Sequence, residues 1–140
     1  MITKVSFVSR PVAEKSIGNA NAAIISIRSE DEDVARLSDK WGRKLFLLFH
    51  DAENARTSAA HGLKVFDEGN AIAILAFLEE IDREGISTVV VHCDGGLSRS
   101  AGVAKFIAEK YGCHFNHTYS LYNSLVYSTL KRVDHETRGS

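Results

Sequence analysis

Short apolar segments occur at four places along the chain, and each has the length of a buried β-strand. They cover residues 4–9, 22–27, 44–49 and 88–92, and three of the four are rich in valine or isoleucine. β-Branched runs of this length are typical of strands in a sheet core. The pattern therefore predicts four strands.

Three other segments carry apolar residues every three or four positions, which is the spacing of one helix face. These segments are residues 71–81, 103–111 and 122–133. Gly85 and Gly112 follow the first two, and glycine commonly ends a helix. The pattern therefore predicts three amphipathic helices, one before the fourth strand and two after it.

Strands interspersed with helices predict an α/β fold, with a central, mostly parallel sheet of four to five strands flanked by helices. Residues 89–91 are all valine, so we expect the fourth strand to lie centrally. With no repeat and a single proline, Pro11, the chain offers no linker, and we expect residues 1–140 to form one domain. In open parallel sheets ligands bind beyond the carboxyl ends of the strands, which draws attention to the loop after the fourth strand.

Composition narrows the classes of partner. The 140 residues are 44% hydrophobic and 25% charged, with a formal net charge of -1, so there is no basic field to attract nucleic acid. No apolar run is long enough to span a membrane. We therefore expect neither nucleic acid nor a membrane as partner, and a monomeric chain.

The cysteine content and the N-terminus point to a reducing compartment. Cys93 and Cys113 are the only two cysteines, which is a poor disulfide framework, and the first residues lack the apolar stretch of a secretory signal. We expect a cytoplasmic protein whose thiols are available for chemistry.

The loop after the fourth strand has the composition of a phosphate cradle. Residues 92–100 read His-Cys-Asp-Gly-Gly-Leu-Ser-Arg-Ser and join the buried strand directly to a helix. Gly95 and Gly96 let the backbone turn its N–H groups inward, and the helix N-terminus adds partial positive charge. Cys93 lies at the bottom of this nest, where the dipoles that hold a phosphate dianion also stabilise a thiolate. The loop therefore predicts an activated cysteine nucleophile.

Three neighbours of Cys93 have predicted roles in the same chemistry. Arg99 can donate two parallel hydrogen bonds to phosphoryl oxygens. The Ser100 hydroxyl can bond the Cys93 sulfur and ease departure of the thiolate when a phosphocysteine intermediate is hydrolysed. The His92 side chain is expected to bond backbone groups of the loop and so to hold its shape, rather than to contact substrate. No metal and no other cofactor is expected.

Residues 92–100 resemble the His-Cys-x5-Arg-Ser/Thr signature of the protein tyrosine and dual-specificity phosphatase superfamily, with the family's glycine at Gly96. The resemblance implies a small dual-specificity-type catalytic domain. Its substrate would be a phosphorylated protein, most often on tyrosine but also on serine or threonine, or a small phosphomonoester. The residues that would surround the phosphate together with Arg99 are Asp94, Gly95, Gly96, Leu97 and Ser98.

The family also implies an aspartic acid, on a loop upstream of the cysteine, that protonates the departing oxygen. Asp51 follows the third strand at the sheet end that carries Cys93, and Glu53 on the same loop is the alternative. In a third reading Asp51 only caps or solvates a turn. Asn123, in the last predicted helix, loosely resembles an asparagine of the family and is assigned a supporting role. Asp94 borders the anion site, and we expect its carboxylate to point away.

The remaining polar residues favour simpler interpretations. Cys113, His114 and His117 lack a fourth metal ligand, so no metal site is expected. The acidic run at residues 30–33 is expected to be a solvated loop or helix start.

Two rival functions stay open. A catalytically weak pseudophosphatase would bind phosphate without turnover. A rhodanese-like sulfurtransferase also places a reactive cysteine in an anion-binding loop.

Overall fold

The computed structural model describes residues 1–53, 56 and 61–138. Its elements, in chain order, are β1 (Lys4–Ser9), α1 (Arg10–Lys15), β2 (Ala22–Arg28), β3 (Arg43–Leu48), α2 (Glu68–Arg83), β4 (Thr88–Cys93), α3 (Arg99–Tyr111) and α4 (Ser124–Arg138). The strands form one sheet in the order β1-β4-β2-β3, and every neighbouring pair is parallel. The predicted α/β class is confirmed, and the fourth strand lies inside the sheet as expected.

The predicted elements differ from the observed ones mainly at their ends. Helix α2 begins at Glu68 because Asp67 caps it: the Asp67 carboxylate accepts from the Asn70 N–H at 2.8 Å. Helix α3 ends where Gly112 adopts a left-handed φ of 70°. The last helix begins at Ser124, two residues later than predicted. Helix α1 was not predicted, because six residues carry too little periodicity to distinguish them from a loop.

Alternate side chains of the inner strands enter two apolar layers. Ala23, Ile25 and Ile27 of β2 belong to the main core beneath α2, α3 and α4. Ile24, one position out of phase, packs on the opposite face with Trp41 near α1. Helices therefore cover both faces, which explains why β2 and β4 read as almost wholly apolar.

The parallel arrangement brings four strand ends to one edge of the sheet. Ser9 at the end of β1 pairs in register with Cys93 at the end of β4. The ends of β2 and β3 are likewise in register, Arg28 with Leu48. The segments that follow β2, β3 and β4 therefore meet at this edge. No helix in the described part of the chain is long and apolar enough to cross a membrane.

Candidate active site

Cys93 is the last residue of β4 and Ser100 lies in the first turn of α3, so a tight loop brings the two together. The Cys93 Sγ lies 3.1 Å from the Ser100 Oγ, and both residues are buried. This is the contact expected between a nucleophilic sulfur and a hydroxyl that can donate to its thiolate form.

One glycine of the Gly95-Gly96 pair is required by the backbone. Gly96 has a φ of +70°, and a Cβ at this position would lie 2.5 Å from the backbone N of Ser9. A residue with a side chain would be strained by the left-handed φ at this position, and its Cβ would clash with the backbone of β1. A Cβ on Gly95 would have no atom within 4 Å. The loop is therefore pressed against the end of β1 at Gly96 only.

The carbonyl groups of the loop are tied to elements outside it. The Asp94 carbonyl accepts from the Arg10 N–H at 3.0 Å, and the Leu97 carbonyl accepts from the Tyr119 hydroxyl at 2.5 Å. The Ser98 carbonyl accepts from the N–H of Asn123 at 3.0 Å. In a trans peptide the C=O and the following N–H point in opposite directions. The N–H groups after these three carbonyls therefore point away from the surrounding elements, as an anion nest requires.

Arg99 is buried at the same edge of the sheet and is held by groups from two other segments. Its Nη1 donates to the Ser29 Oγ at 2.9 Å and to the Phe49 carbonyl at 3.0 Å. Its Nη2 lies 3.9 Å from the Glu32 Oε1. The predicted phosphate clamp is thus fixed in place by the segments after β2 and β3.

The acidic run at residues 30–33 was expected to be solvated, and for Glu32 this expectation is wrong. Its side chain is 20% exposed, faces Arg99, and accepts the Ser29 N–H at 2.7 Å. Burial raises the pKa of Glu32, but the Ser29 N–H and the Arg99 charge lower it below its usual value. Glu30 and Asp31 are exposed, as expected. Sequence reasoning missed Glu32 because charge in a loop does not reveal which side chain turns inward.

His92 is buried beneath the loop. Its Nε2 lies 2.6 Å from the Ser26 Oγ of β2, and its Nδ1 lies 3.3 Å from the Cys93 carbonyl. Burial is the largest influence on its pKa and lowers it, so the imidazole is held in the neutral form. The ring links β4 to β2 at the start of the loop and lies beside the Cys93 carbonyl.

Asp51 and the loop after β4 meet directly. The Asp51 Oδ1 accepts from the Ser98 Oγ at 2.7 Å and from the Asn123 Nδ2 at 2.8 Å. Glu53 lies instead at the start of α4, where its carboxylate accepts the Ser124 N–H at 3.3 Å and the Ser124 hydroxyl. Of the two candidate carboxylates, the structure thus brings Asp51 to the loop and uses Glu53 as a helix cap.

Asn123 is fully buried between three elements, immediately before α4 rather than inside it. Its Nδ2 also donates to the Ala52 carbonyl at 3.1 Å, and its Oδ1 accepts the Val126 N–H at 3.0 Å. Together with its bond to the Ser98 carbonyl, these contacts join the Asp51 segment, the loop and α4. Asn123 is therefore placed to fix the position of Asp51 relative to Cys93.

The other predicted positions are exposed or half-buried. The Asp94 side chain is exposed and lies beside Glu32, and Leu97 is 57% exposed. Cys113 is a half-buried free thiol whose pKa is raised by burial. Among residues 1–53, 56 and 61–138, no three His, Cys, Asp or Glu side chains form a group that could hold a metal.

Tyr119 and Arg10 are site residues that the sequence did not reveal. Tyr119 is oriented by ring contacts, with its centroid 5.1 Å from that of Phe7. Its pKa is raised by burial and by the nearby Cys93 sulfur. The Arg10 side chain donates from Nη1 to the Asp33 carbonyl at 2.5 Å. Neither residue belongs to a recognisable motif, since the contacts depend on segments far apart in the chain.

No protein-family model matches the chain, and no curated protein sequence matches it. A solved structure that is similar is that of the human tyrosine phosphatase-like serine/threonine/tyrosine-interacting protein. The two share 20% sequence identity over 91% of this chain and 83% of that one, with a TM-score of 0.49. A likeness at this level assigns no function, which must come from the residues of the site.

Proposed function

We propose that this chain is a cysteine-dependent phosphatase that hydrolyses phosphomonoesters. The observation that carries the proposal is the convergence of three groups on one short loop: the Cys93 sulfur beside the Ser100 hydroxyl, the anchored Arg99 guanidinium, and the Asp51 carboxylate bonded to Ser98. A nucleophile, an anion clamp and a candidate proton donor are the parts that phosphoryl transfer through a covalent intermediate needs.

In the first step the Cys93 thiolate attacks the phosphorus of the bound ester. An S–P bond forms and the P–O bond to the leaving group breaks, with its electron pair passing to the departing oxygen. Asp51, entering this step protonated, gives that oxygen its proton. Arg99 and the N–H groups of the loop bind the equatorial phosphoryl oxygens throughout.

In the second step a water molecule attacks the phosphocysteine. Asp51, now a carboxylate, takes the proton of the water, the S–P bond breaks, and inorganic phosphate is released. The Ser100 hydroxyl donates a hydrogen bond to the departing Cys93 sulfur, which stabilises the thiolate as a leaving group.

We propose phosphotyrosine in proteins as the preferred substrate, with phosphoserine and phosphothreonine as slower ones. The signature resemblance supports this choice. The exposed Leu97 side chain on the loop also offers an apolar contact to an aromatic ring.

A phosphate-binding protein with little turnover is the second candidate, and one observation favours it. Asp51 already accepts two hydrogen bonds on a single oxygen. Both bonds are ones that a purely structural carboxylate would make, and a loop without a proton donor would release a poor leaving group slowly.

Hydrolysis of a phosphotyrosine peptide in the presence of a metal chelator tests the proposal. Cys93→Ser should reduce kcat by at least about 10³-fold, because catalytic nucleophiles contribute effects of this size or larger. Cys113→Ser is the matched control, and it should retain full activity because Cys113 is a half-buried thiol outside the loop, and no hydrogen bond among the described residues joins it to Ser100 or Arg99.

Equal activity of Cys93→Ser and the wild type would contradict the mechanism. Tight peptide binding without turnover by the wild type would favour the pseudophosphatase. Transfer of sulfur from thiosulfate, without phosphatase activity, would favour the sulfurtransferase.

A further inference from the structure

The Arg99 guanidinium is held by two hydrogen bonds from one of its nitrogens, Nη1. Nη1 uses its hydrogens on the Ser29 Oγ and the Phe49 carbonyl, at 2.9 and 3.0 Å. These bonds fix the plane of the group and leave the Nε–Nη2 edge as the fork for two phosphoryl oxygens. Any residue that fixes Ser29 therefore also fixes the direction of this fork.

Glu32 closes the turn that presents Ser29. The Glu32 Oε1 accepts the Ser29 N–H at 2.7 Å, and the Glu32 N–H donates to the Ser29 carbonyl at 3.1 Å. The Arg28 guanidinium holds the turn from outside by donating to the Glu32 carbonyl at 2.8 Å. The same carboxylate lies 3.9 Å from the Arg99 Nη2. Glu32 thus acts on Arg99 directly and through the Ser29 hydroxyl.

We propose that Glu32 is a positioning residue that holds Arg99 in its phosphate-binding orientation. The inference rests on the proposed function, because it takes the loop to be a phosphate site. It assigns a role to one member of an acidic run whose neighbours Glu30 and Asp31 are exposed.

The positioning role and a purely electrostatic effect of the Glu32 charge predict opposite changes in anion affinity for Glu32→Gln. Removing a carboxylate near an anion site would by Coulomb attraction alone strengthen anion binding. Loss of the support for Arg99 would weaken it. The sign of the change in affinity therefore separates the two.

The test is calorimetric titration of the full chain with orthovanadate, a phosphate analogue. Glu32→Gln should bind vanadate about tenfold more weakly, which corresponds to losing one charge-assisted hydrogen bond. Glu32→Asp keeps the charge but is one methylene shorter, so it should also bind more weakly. Glu30→Gln is the matched control, with the same charge change at an exposed position, and it should bind like the wild type.

Thermal melting establishes that each variant is folded, and Glu32→Asp carries the test if Glu32→Gln does not fold. Vanadate binding by either folded variant that equals or exceeds that of the wild type overturns the inference and leaves the proposed phosphate site standing. A wild-type chain that binds no vanadate overturns the phosphate site itself, and the inference with it.

Discussion

At the residue scale, Asp51, Arg99 and His92 are each held by partners from other segments of the chain. Asp51 shows this most clearly, since one of its oxygens accepts from both Ser98 and Asn123. These partners place the carboxylate at the loop. Only a leaving group that needs a proton will reveal whether Asp51 supplies one.

Asp51→Asn should therefore slow hydrolysis selectively. Turnover of a phosphotyrosine peptide should fall by about 10²-fold or more, because general acids contribute effects of this size. Hydrolysis of an activated aryl phosphate, whose leaving group departs without a proton, should change much less. Steady-state kinetics with both substrates measures the difference.

Glu53→Gln is the control for Asp51→Asn, since Glu53 is a carboxylate on the same segment that caps α4. It should reduce stability slightly and leave the ratio of the two rates unchanged. An equal slowing of both substrates by Asp51→Asn would mean that Asp51 is structural.

At the element scale, the shape of the loop depends on what its neighbours do. Strand β1 approaches Gly96 so closely that no side chain fits, whereas Gly95 faces open space. Tyr119, Arg10 and Asn123 bind carbonyl groups along the loop from outside. The shape of the loop is therefore set by β1, α1 and the segment before α4 as much as by the loop residues.

Gly96→Ala should destabilise the protein by about 2 kcal/mol or more, since a left-handed φ alone costs a non-glycine residue roughly 1–2 kcal/mol and the backbone clash adds to this. It should also abolish vanadate binding, because relief of the clash must move the loop away from β1. Gly95→Ala should leave both properties near those of the wild type. Urea unfolding and vanadate titration of the two variants check this pair, and equal effects at both positions would contradict it.

At the scale of the whole molecule, buried His92 links the site to the stability of the sheet. Its pKa is lowered chiefly by burial and also by the charge of Arg10, while the Cys93 carbonyl, Glu14 and Glu32 act in the opposite direction. In the unfolded chain the imidazole titrates near its usual value of about 6.5. The unfolded state therefore binds more protons than the folded state below that pH, and stability falls as pH decreases.

The contribution of His92 to the free energy of unfolding should be complete above about pH 7.5 and should decline progressively below about pH 6.5. His92→Asn should lower stability at neutral pH but show a shallower loss between about pH 7 and 5.5. His117→Asn, a change of the same type at an exposed position, should keep the wild-type slope. Urea unfolding at several pH values measures these slopes, and identical slopes for all three proteins would contradict the prediction.

The sequence by itself determined the α/β class, the central position of the fourth strand and the loop at residues 92–100. Each is a local property: apolar runs and helical spacing follow from burial of one face, and the loop residues are contiguous. Cys93, Gly96, Arg99 and Ser100 could be read together because no more than seven positions separate them. The predicted positions of the helix ends were less accurate, because caps such as Asp67 act through a few specific hydrogen bonds.

Only the tertiary structure decided which distant groups complete the site. Asp51 and Glu53 are two positions apart and chemically alike, yet one meets Ser98 and the other caps α4. Glu32 faces Arg99 while Glu30, of the same type in the same run, is exposed. The physical reason is that these choices depend on bonds between segments about 50 to 70 residues apart, such as those from Arg99 to Phe49 and to Ser29. Such bonds form only when the parallel strands bring their carboxyl ends to one edge of the sheet.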